Sequence, residues 1–574
     1  RMIKRVRENE VEHADLLHIP KTLVLCTDIF DEFMETNEMY GVAMSDISDD
    51  EMLTHFLRGR LPHRLLADLE VFIDVVKSPL AIRSSSLLED SHYQPFAGIY
   101  STYMIPYDED KYCRLEMLSN AIKGVYASVY FHGSKDYMTA TSNVIDQEKM
   151  AVILQEVVGR EYGKRFYPNV SGVARSLNYY PIGEEKAEEG TVSLAMGLGK
   201  YIVDGGTALR VCPYHPTQVL QMSEMEIALR DTQTSFLALE TNGKVDENGK
   251  KQKMPFQVDD GFNLVKVPVR DAENDGSLQW ICSTYDPMDQ CIYDGFYEGR
   301  NRKLISFAGI LQNGVWPMPE LLRLVLKLGQ AEMQRPVEIE FACNINPDKS
   351  GDFYLLQIRP MVDNRMQLDE NLADIPDEKC LLRSHNAIGH GIITDITDIV
   401  YVKTSEKAHY TPGWNPQIAD EVERINRSLL QEDRKCILIG AGRWGSSDPW
   451  LGIPVKWPNI SSAQVIVEAG LANFQVDPSQ GTHFFQNLTS LGVGYLTINA
   501  FRGDGKYDCT LFENLPLVQE TEHVAHVRLK EPLSIKIDGM KKEAVVLMPE
   551  ELKEAEKAEE EKEGYTDREG LPQE

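Results

Sequence analysis

The chain has 574 residues, of which 42% are apolar and 26% charged, and its formal charge is −30. That length exceeds what one hydrophobic core organises, so two to four domains are expected. The acidic balance argues against a nucleic-acid-binding surface, which needs clustered Lys and Arg, but not against a nucleotide pocket, where a few local cations and a metal suffice.

The first residue is Arg1 rather than Met, which points to a fragment or a processed chain. From there to about residue 110, strand-like runs (Ile19 to Cys26, Pro79 to Ser86) alternate with helical patterns such as DEFMETNEMY and DDEMLTHFLRG. MAVILQEVVG (Met150 to Gly159), SGVARSL, TVSLAMGLG and ALRVCPY follow as β-rich segments punctuated by Gly and Pro. Residues 220 to 300 are polar and carry no clear pattern. A helix is expected near 319 to 334, then two strands, VEIEFACNI and DFYLLQIRPM, with an exit from the first unit near residue 365.

From about residue 380, ITDITDIVYV, CILIGAG, AQVIVEAG and VGYLTI are β-like and ADEVERINRSLL is helical. This pattern predicts a second, smaller α/β unit over 366–545, after which 546–574 form a charged acidic tail containing EELKEAEKAEEEKE. No apolar run reaches the roughly 20 residues that span a bilayer. The nine cysteines are dispersed, with no CxxC spacing and no metal-ligand cluster, as expected of reduced cytoplasmic thiols.

Chemistry concentrates first in the strand pair near residue 340. Side chains two apart in a strand share a face, so Glu338 and Glu340 point the same way, and so do Gln357 and Arg359. The intervening NPDKSGD is turn chemistry. A turn centred between Asp348 and Lys349 sets Glu338 opposite Arg359 and Glu340 opposite Gln357. Ile339, Phe341, Leu356 and Ile358 then make the apolar face. Adjacent carboxylates repel unless a cation or proton lies between them, and hard oxygen ligands favour Mg²⁺. Arg359 offers a planar fork for phosphate oxygens. A solvent-facing hairpin with a cross-strand ion pair remains an equal reading of these four residues alone.

In AIRSSSLLEDSHYQPFAGIYSTY, Arg83, Ser84 and the small-residue turn at Gly98 are the ingredients of a phosphate cradle. Ser-rich turns are usually only turns, so this run adds weight only in company.

Company comes from order. IRSSSLLED…FAGIYSTY, MAVILQEVVG, SGVARSLNYYP, LAMGLGKYIVDG and IEF…LLQIRPM, over residues 20 to 362, resemble the successive motifs of the ATP-binding domain of pyruvate phosphate dikinase and phosphoenolpyruvate synthase. The resemblance implies an α/β (α+β) ATP-grasp nucleotide-binding domain over residues 1–365, with ATP and Mg²⁺ as cofactors. It also implies that Arg83 contacts the phosphates, that Gln155, Glu156 and Val157 lie beside the adenine, that Glu338 and Glu340 position Mg²⁺ or the ribose, and that Gln357 and Arg359 hold the phosphates. Two departures stand out. The family's Gly-Gly-Lys segment is replaced by RMIKRVREN, where either the lysine is missing or Lys4 or Arg5 takes its place. Lys200 and Arg175 replace an acid and a Phe, as added phosphate ligands or plain surface residues.

These dikinases pass phosphate through a histidine on a swivelling domain, which divides one hard transfer into two. PSQGTHFFQNLTSLGVG resembles that segment, with Thr482 before His483 and Leu491-Gly492-Val493 after it. Two phenylalanines after the histidine depart from the pattern, and a buried or capping histidine is the plain alternative. His385 and His390 are weaker candidates. The Gly440 to Pro454 loop, with Arg443 and two tryptophans, could take an anion or an acceptor, or line a domain interface. The family's pyruvate-binding barrel needs about 250 residues and does not fit the roughly 200 that remain. The expected activity is ATP-dependent phosphotransfer, through His483, to an unidentified acceptor or partner protein. A direct kinase without phosphohistidine and a nucleotide-sensing module are the alternatives.

Overall fold

The computed structural model describes residues 12–86, 99–140, 148–178, 185–223, 225–241, 255–299, 301–361, 371–404, 410–446, 448, 450–471, 493–512, 515–539 and 541–549. Two compact units divide the chain, one running to Asp363 and the other starting at Asn364.

In the first unit, an antiparallel sheet takes the order Thr22–Leu25, Met150–Glu156, Leu80–Ser86, Tyr103–Ile105. Helices cover one side. Asp49–Arg58 starts on a reciprocal cap, Ser48 Oγ accepting from Glu51 N–H and the Glu51 carboxylate from Ser48 N–H, and buries Met52, Leu53 and Phe56. Lys111–Ser128 is capped by Asp110 and buries Leu118, Ile122 and Val125. A second sheet of six strands runs Leu17–His18, Gly351–Pro360, Val337–Ile345, Val170–Arg175, Thr191–Ala195, Leu209–Val211. Helix Met318–Met333 packs on it through Gly329, where a Cβ would come within 2.7 Å of Ile358.

The polar stretch 220–300 holds strands. Ser235–Glu240 and Leu264–Pro268 join Arg160–Tyr162 and Arg165–Tyr167 in one sheet, while Cys282–Asp286 pairs with Cys291–Asp294 and Arg302–Ile305 in another. Their apolar residues are few but well placed, Phe236, Ala238, Val267 and Cys282 all entering the main core. Short strands with a single buried face leave a weak pattern in sequence.

The Val337–Ile345 and Gly351–Pro360 hairpin pairs Glu338 with Arg359 and Glu340 with Gln357, as the sequence predicts. The reason differs. Beyond Glu340 the ladder shifts, Phe341 opposing Leu355 and Ile345 opposing Gly351, so the turn centres on Asp348. A bulge at Leu356 restores the expected register and takes that residue off the apolar face; Leu355 fills the core in its place.

The second unit is built on a nine-stranded mixed sheet, with a two-stranded pair of Arg443–Trp444 and Gly452–Ile453 beside it in sequence. The order of the large sheet is Cys380–Ser384, Glu543–Leu547, Val524–Asp538, His390–Val402, Cys436–Ala441, Ala463–Ala469, Gly494–Ile498, Asn386–Ile388, with Leu517–Glu520 beside Val524–Asp538. The centre, from His390–Val402 to Gly494–Ile498, is parallel, and its strands are mostly apolar, interrupted by the buried carboxylates Asp398 and Glu468. Helix Asn415–Gln431 makes the first crossover, burying Ile418, Val422, Ile425 and Leu429 at helical spacing. All nine cysteines are free thiols.

One buried charge organises this sheet. Asp398, 1% exposed, accepts from Arg528 Nε at 2.7 Å, Arg434 Nε at 2.9 Å and Thr397 Oγ1 at 2.8 Å, and its Oδ1 lies 2.8 Å from His526 Nε2. Burial alone would raise its pKa, but these partners together hold the carboxyl well below the ordinary range. Asp398→Asn removes the charge and leaves the cations facing a neutral amide, at a cost of about 3–5 kcal/mol. Four of the six tryptophans lie in this unit, so tryptophan-monitored urea unfolding should show an earlier transition. The contribution of a lowered carboxyl is complete above its unfolded value of about 4 and fades as pH falls below it, so wild type and variant should converge in acid.

Candidate functional site

A cavity of about 170 Å³ lies in the first unit, between the four-stranded and six-stranded sheets. Its apolar wall comes from Ala81, Met104, Val157, Val173 and Leu198. Alternation along Leu80–Ser86 puts Arg83 on the same face as Ala81 and aims it into the space, while Ser84 falls on the other face and does not line it. Gln155 pairs with Ala81 across the ladder. Its Nε2 donates to the carbonyl of the bulged Leu356 at 3.1 Å, and Arg83 Nη1 donates to its Oε1 at 3.4 Å. The bulge therefore supplies the acceptor that ties one sheet to the other.

Glu156 and Val157 continue the lining where Met150–Glu156 ends. Their N–H groups donate to Lys21 and Pro79 carbonyls, both at 2.9 Å, and Ser78 Oγ holds Glu156 Oε1 at 2.6 Å. The backbone behind this part of the cavity is thereby fixed. Gly172, in the SGVA run, has no room for a side chain: a Cβ would meet Phe341 Cζ at 2.3 Å and Ser193 O at 2.8 Å.

Arginines and glutamates alternate across the hairpin. Arg175 Nε lies 2.7 Å from Glu338 Oε2, Arg359 Nε 3.4 Å from Glu338 Oε1, Arg359 Nη2 2.9 Å from Glu340 Oε1, and Arg83 Nη2 2.8 Å from Glu340 Oε2. Arg83 also donates to Gln357 Oε1. The carboxylates thus lie apart with guanidinium groups between them, which meets the repulsion expected of an E-x-E strand. The ladder is graded in exposure: Glu338 and Arg175 are 4% exposed at the side chain, Glu340 13% and Arg83 20%. Arg83 and Glu340 line the cavity, whereas Glu338, Gln357, Arg359 and Arg175 stand behind it.

Arg175 is therefore neither a surface residue nor part of the cavity wall. Lys200 does line the cavity, with Nζ 3.4 Å from both Asp204 and Asp260. Burial depresses its proton affinity, but Asp260 and Asp204 outweigh that and its pKa ends above the ordinary lysine value. Asp260 also accepts from Thr102 N–H at 2.9 Å. It lies in the polar stretch where the sequence shows no pattern, so this acid pair was missed. Lys4, Arg5, Gly98 and His483 lie outside the described residues.

The histidine and loop candidates of the second unit resolve differently. His385 Nδ1 is 2.8 Å from Glu543 Oε1 on an exposed edge, and His390 opens the strand His390–Val402. In the Gly440 to Pro454 loop, Trp444 is buried and donates from Nε1 to Val467 O at 3.2 Å. Gly440 makes room for that ring, since a Cβ there would lie 2.3 Å from it. These two residues are accounted for by packing, while Trp450 stays 69% exposed.

Comparison with known proteins agrees with the geometry of the first unit. The family model described as pyruvate phosphate dikinase, AMP/ATP-binding domain, matches residues 4–379, more than half the chain. A relative from Bacillus subtilis (strain 168), named uncharacterized phosphotransferase YvkC, is 26% identical over 200 residues, or 33% of this chain. The match spans 20% of that relative's length. The ordered motifs, the mixed α/β fold and the matched residues lead to one conclusion: the chain belongs to the pyruvate phosphate dikinase AMP/ATP-binding domain family.

Proposed function

We propose that the cavity between the two sheets binds Mg·ATP, with the base against Val157, Met104 and Leu198 and the phosphates toward Arg83 and Glu340. The observation that carries this reading is the meeting of an apolar slot with the partly exposed end of an arginine–glutamate ladder. Pockets of this kind pair apolar walls with a few fixed polar groups. Glu340 is the carboxylate suited to a hard divalent cation. Such a cation would supply the charge that Arg83 now gives to Glu340, leaving the Arg83 fork for phosphate oxygens. Glu338 has a different part in this reading, holding Arg359 in place from behind.

We further propose that the phosphoryl group passes to His483 and then to an acceptor outside the chain's own first unit. The support is the Thr-His…Leu-Gly-Val spacing and the family's two-step chemistry. In the first step an imidazole nitrogen bonds to phosphorus as the P–O bond to the departing nucleotide breaks. Attack at the γ phosphorus expels ADP; attack at the β phosphorus expels AMP and leaves a pyrophosphoryl group on the imidazole, from which water then cleaves the terminal group as inorganic phosphate.

Two expectations separate the ladder's ends. Arg83→Gln and Glu340→Gln should each weaken Mg·ATP binding by about 10- to 100-fold, the worth of a hydrogen bond to a charged group, with little change in melting temperature. Glu338→Gln should instead destabilise the first unit by about 3–5 kcal/mol, because it leaves Arg175 buried without its carboxylate. Calorimetric ATP titration with and without Mg²⁺, alongside thermal unfolding, reads both. Equal ATP affinity in wild type, Arg83→Gln and Glu340→Gln would overturn the assignment. For the relay, β- and γ-labelled ATP should leave an acid-labile, base-stable label on the chain that His483→Ala abolishes. Undiminished labelling of that variant would rule the histidine out, and turnover without labelling would favour direct transfer.

A further inference from the structure

Away from the nucleotide cavity, three side chains with metal-binding atoms converge at the edge of the six-stranded sheet. Cys212-Pro213-Tyr214-His215 follows the edge strand Leu209–Val211 as a tight turn, His215 N–H donating to Cys212 O at 3.0 Å. Such a turn brings side chains three apart onto one side, the device by which Cys and His at this spacing grip zinc. Glu189 reaches the turn from the neighbouring strand. It lies just before Thr191–Ala195, and the pairing of Val192 with Val211 carries it alongside. Gly190 makes the corner at φ +75°, where a Cβ would lie 2.3 Å from Arg175 O.

We propose that Cys212, His215 and Glu189 form a binding site for one zinc-class transition-metal ion. Glu189 Oε2 is 3.0 Å from His215 Nε2 and 3.9 Å from Cys212 Sγ, and all three ligand atoms lie within 4.8 Å of one another. Tetrahedral zinc with the usual Zn–N, Zn–O and Zn–S lengths needs ligand–ligand edges of about 3.3–3.8 Å, so the two Glu189 distances need shifts of a few tenths of an ångström and the Cys212–His215 separation, within 4.8 Å, closes by at most about 1 Å. Thiolate with imidazole selects zinc-like ions over Mg²⁺ or Ca²⁺. The surroundings fit a built site: Lys186 N–H donates to Glu189 Oε2 at 2.9 Å, fixing the carboxylate, and the Arg323 guanidinium lies 5.5 Å from the Tyr214 ring centre, holding the turn.

Cys212 is buried, while Glu189 and His215 keep 17% and 23% of their side-chain surface. One side is open to a fourth ligand such as water. Binding displaces the thiol proton to solvent, forms a metal–sulfur bond, and leaves the imidazole neutral with its proton on Nδ1. Thiolate and carboxylate together neutralise the ion's double charge. The ion would tie the edge strand to its neighbour, at the end of Thr191–Ala195 away from the cavity-lining residues Leu198 to Lys200. Its role is to fasten that strand pair.

The test is a Co²⁺ titration of the chelator-treated full chain, with Zn²⁺ as competitor. The expected result is a thiolate-to-cobalt charge-transfer band that saturates at one equivalent and is bleached by one equivalent of Zn²⁺. Cys212→Ser should lose the band while keeping its circular dichroism spectrum, and Cys291→Ser, an exposed control thiol, should retain it. His215→Ala and Glu189→Gln should weaken binding by at least about tenfold. A wild type without the band, or Cys212→Ser with the band at full strength, overturns the proposal.

Discussion

The polar side of the cavity in the first unit is arranged around the need to pair charges beside a hairpin. Glu338 and Arg175 are almost fully enclosed, and neither can be held there alone, because an unpaired buried charge costs several kcal/mol. Neighbouring strands therefore bring opposite charges together, Arg175 beside Glu338 and Arg359 between the two carboxylates, with Arg83 arriving from the other sheet. The consequence is a graded ladder, closed at the Arg175 end and open at the Arg83 end. Its closed part sets the geometry, and its open part faces the cavity. Chemistry that needs movable charge belongs at that open end.

The bulge at Leu356 is the second constraint. It allows a hairpin whose turn centres on Asp348 to keep Glu340 opposite Gln357. It also presents a carbonyl to Gln155, a residue of the opposite sheet that is bonded in turn to Arg83. One irregularity thus sets the register of the polar face and joins the two walls of the cavity.

How much of this was legible in the sequence depended on periodicity. The paired residues of the hairpin followed from alternation and turn chemistry, and the long apolar parallel strands of the second unit announced themselves. The bulge did not, because its offset cancels the offset of the turn and leaves the same pairs facing. Asp260 and the strands of residues 220–300 were hidden by polar composition, since none of these strands buries more than three side chains. Asp398 and its partners were missed because a buried ion pair looks, in sequence, like surface charge. The Cys212 turn has no second cysteine to mark it, since its neighbours are a histidine three residues on and a glutamate just before the adjacent strand. Trp444 is a contrary case: its Gly-rich loop invited a ligand, and packing explains the glycine.

The central claim is that nucleotide enters the slot beside Val157 with its phosphates at the Arg83 end. A crystal structure with Mg²⁺ and a non-hydrolysable ATP analogue tests it most directly. The account predicts the base between Val157 and Leu198, a cation at Glu340, and Arg83 turned from Glu340 to a phosphate oxygen. A nucleotide bound elsewhere, or bound in the slot with its phosphates away from an intact Arg83–Glu340 pair, would contradict it.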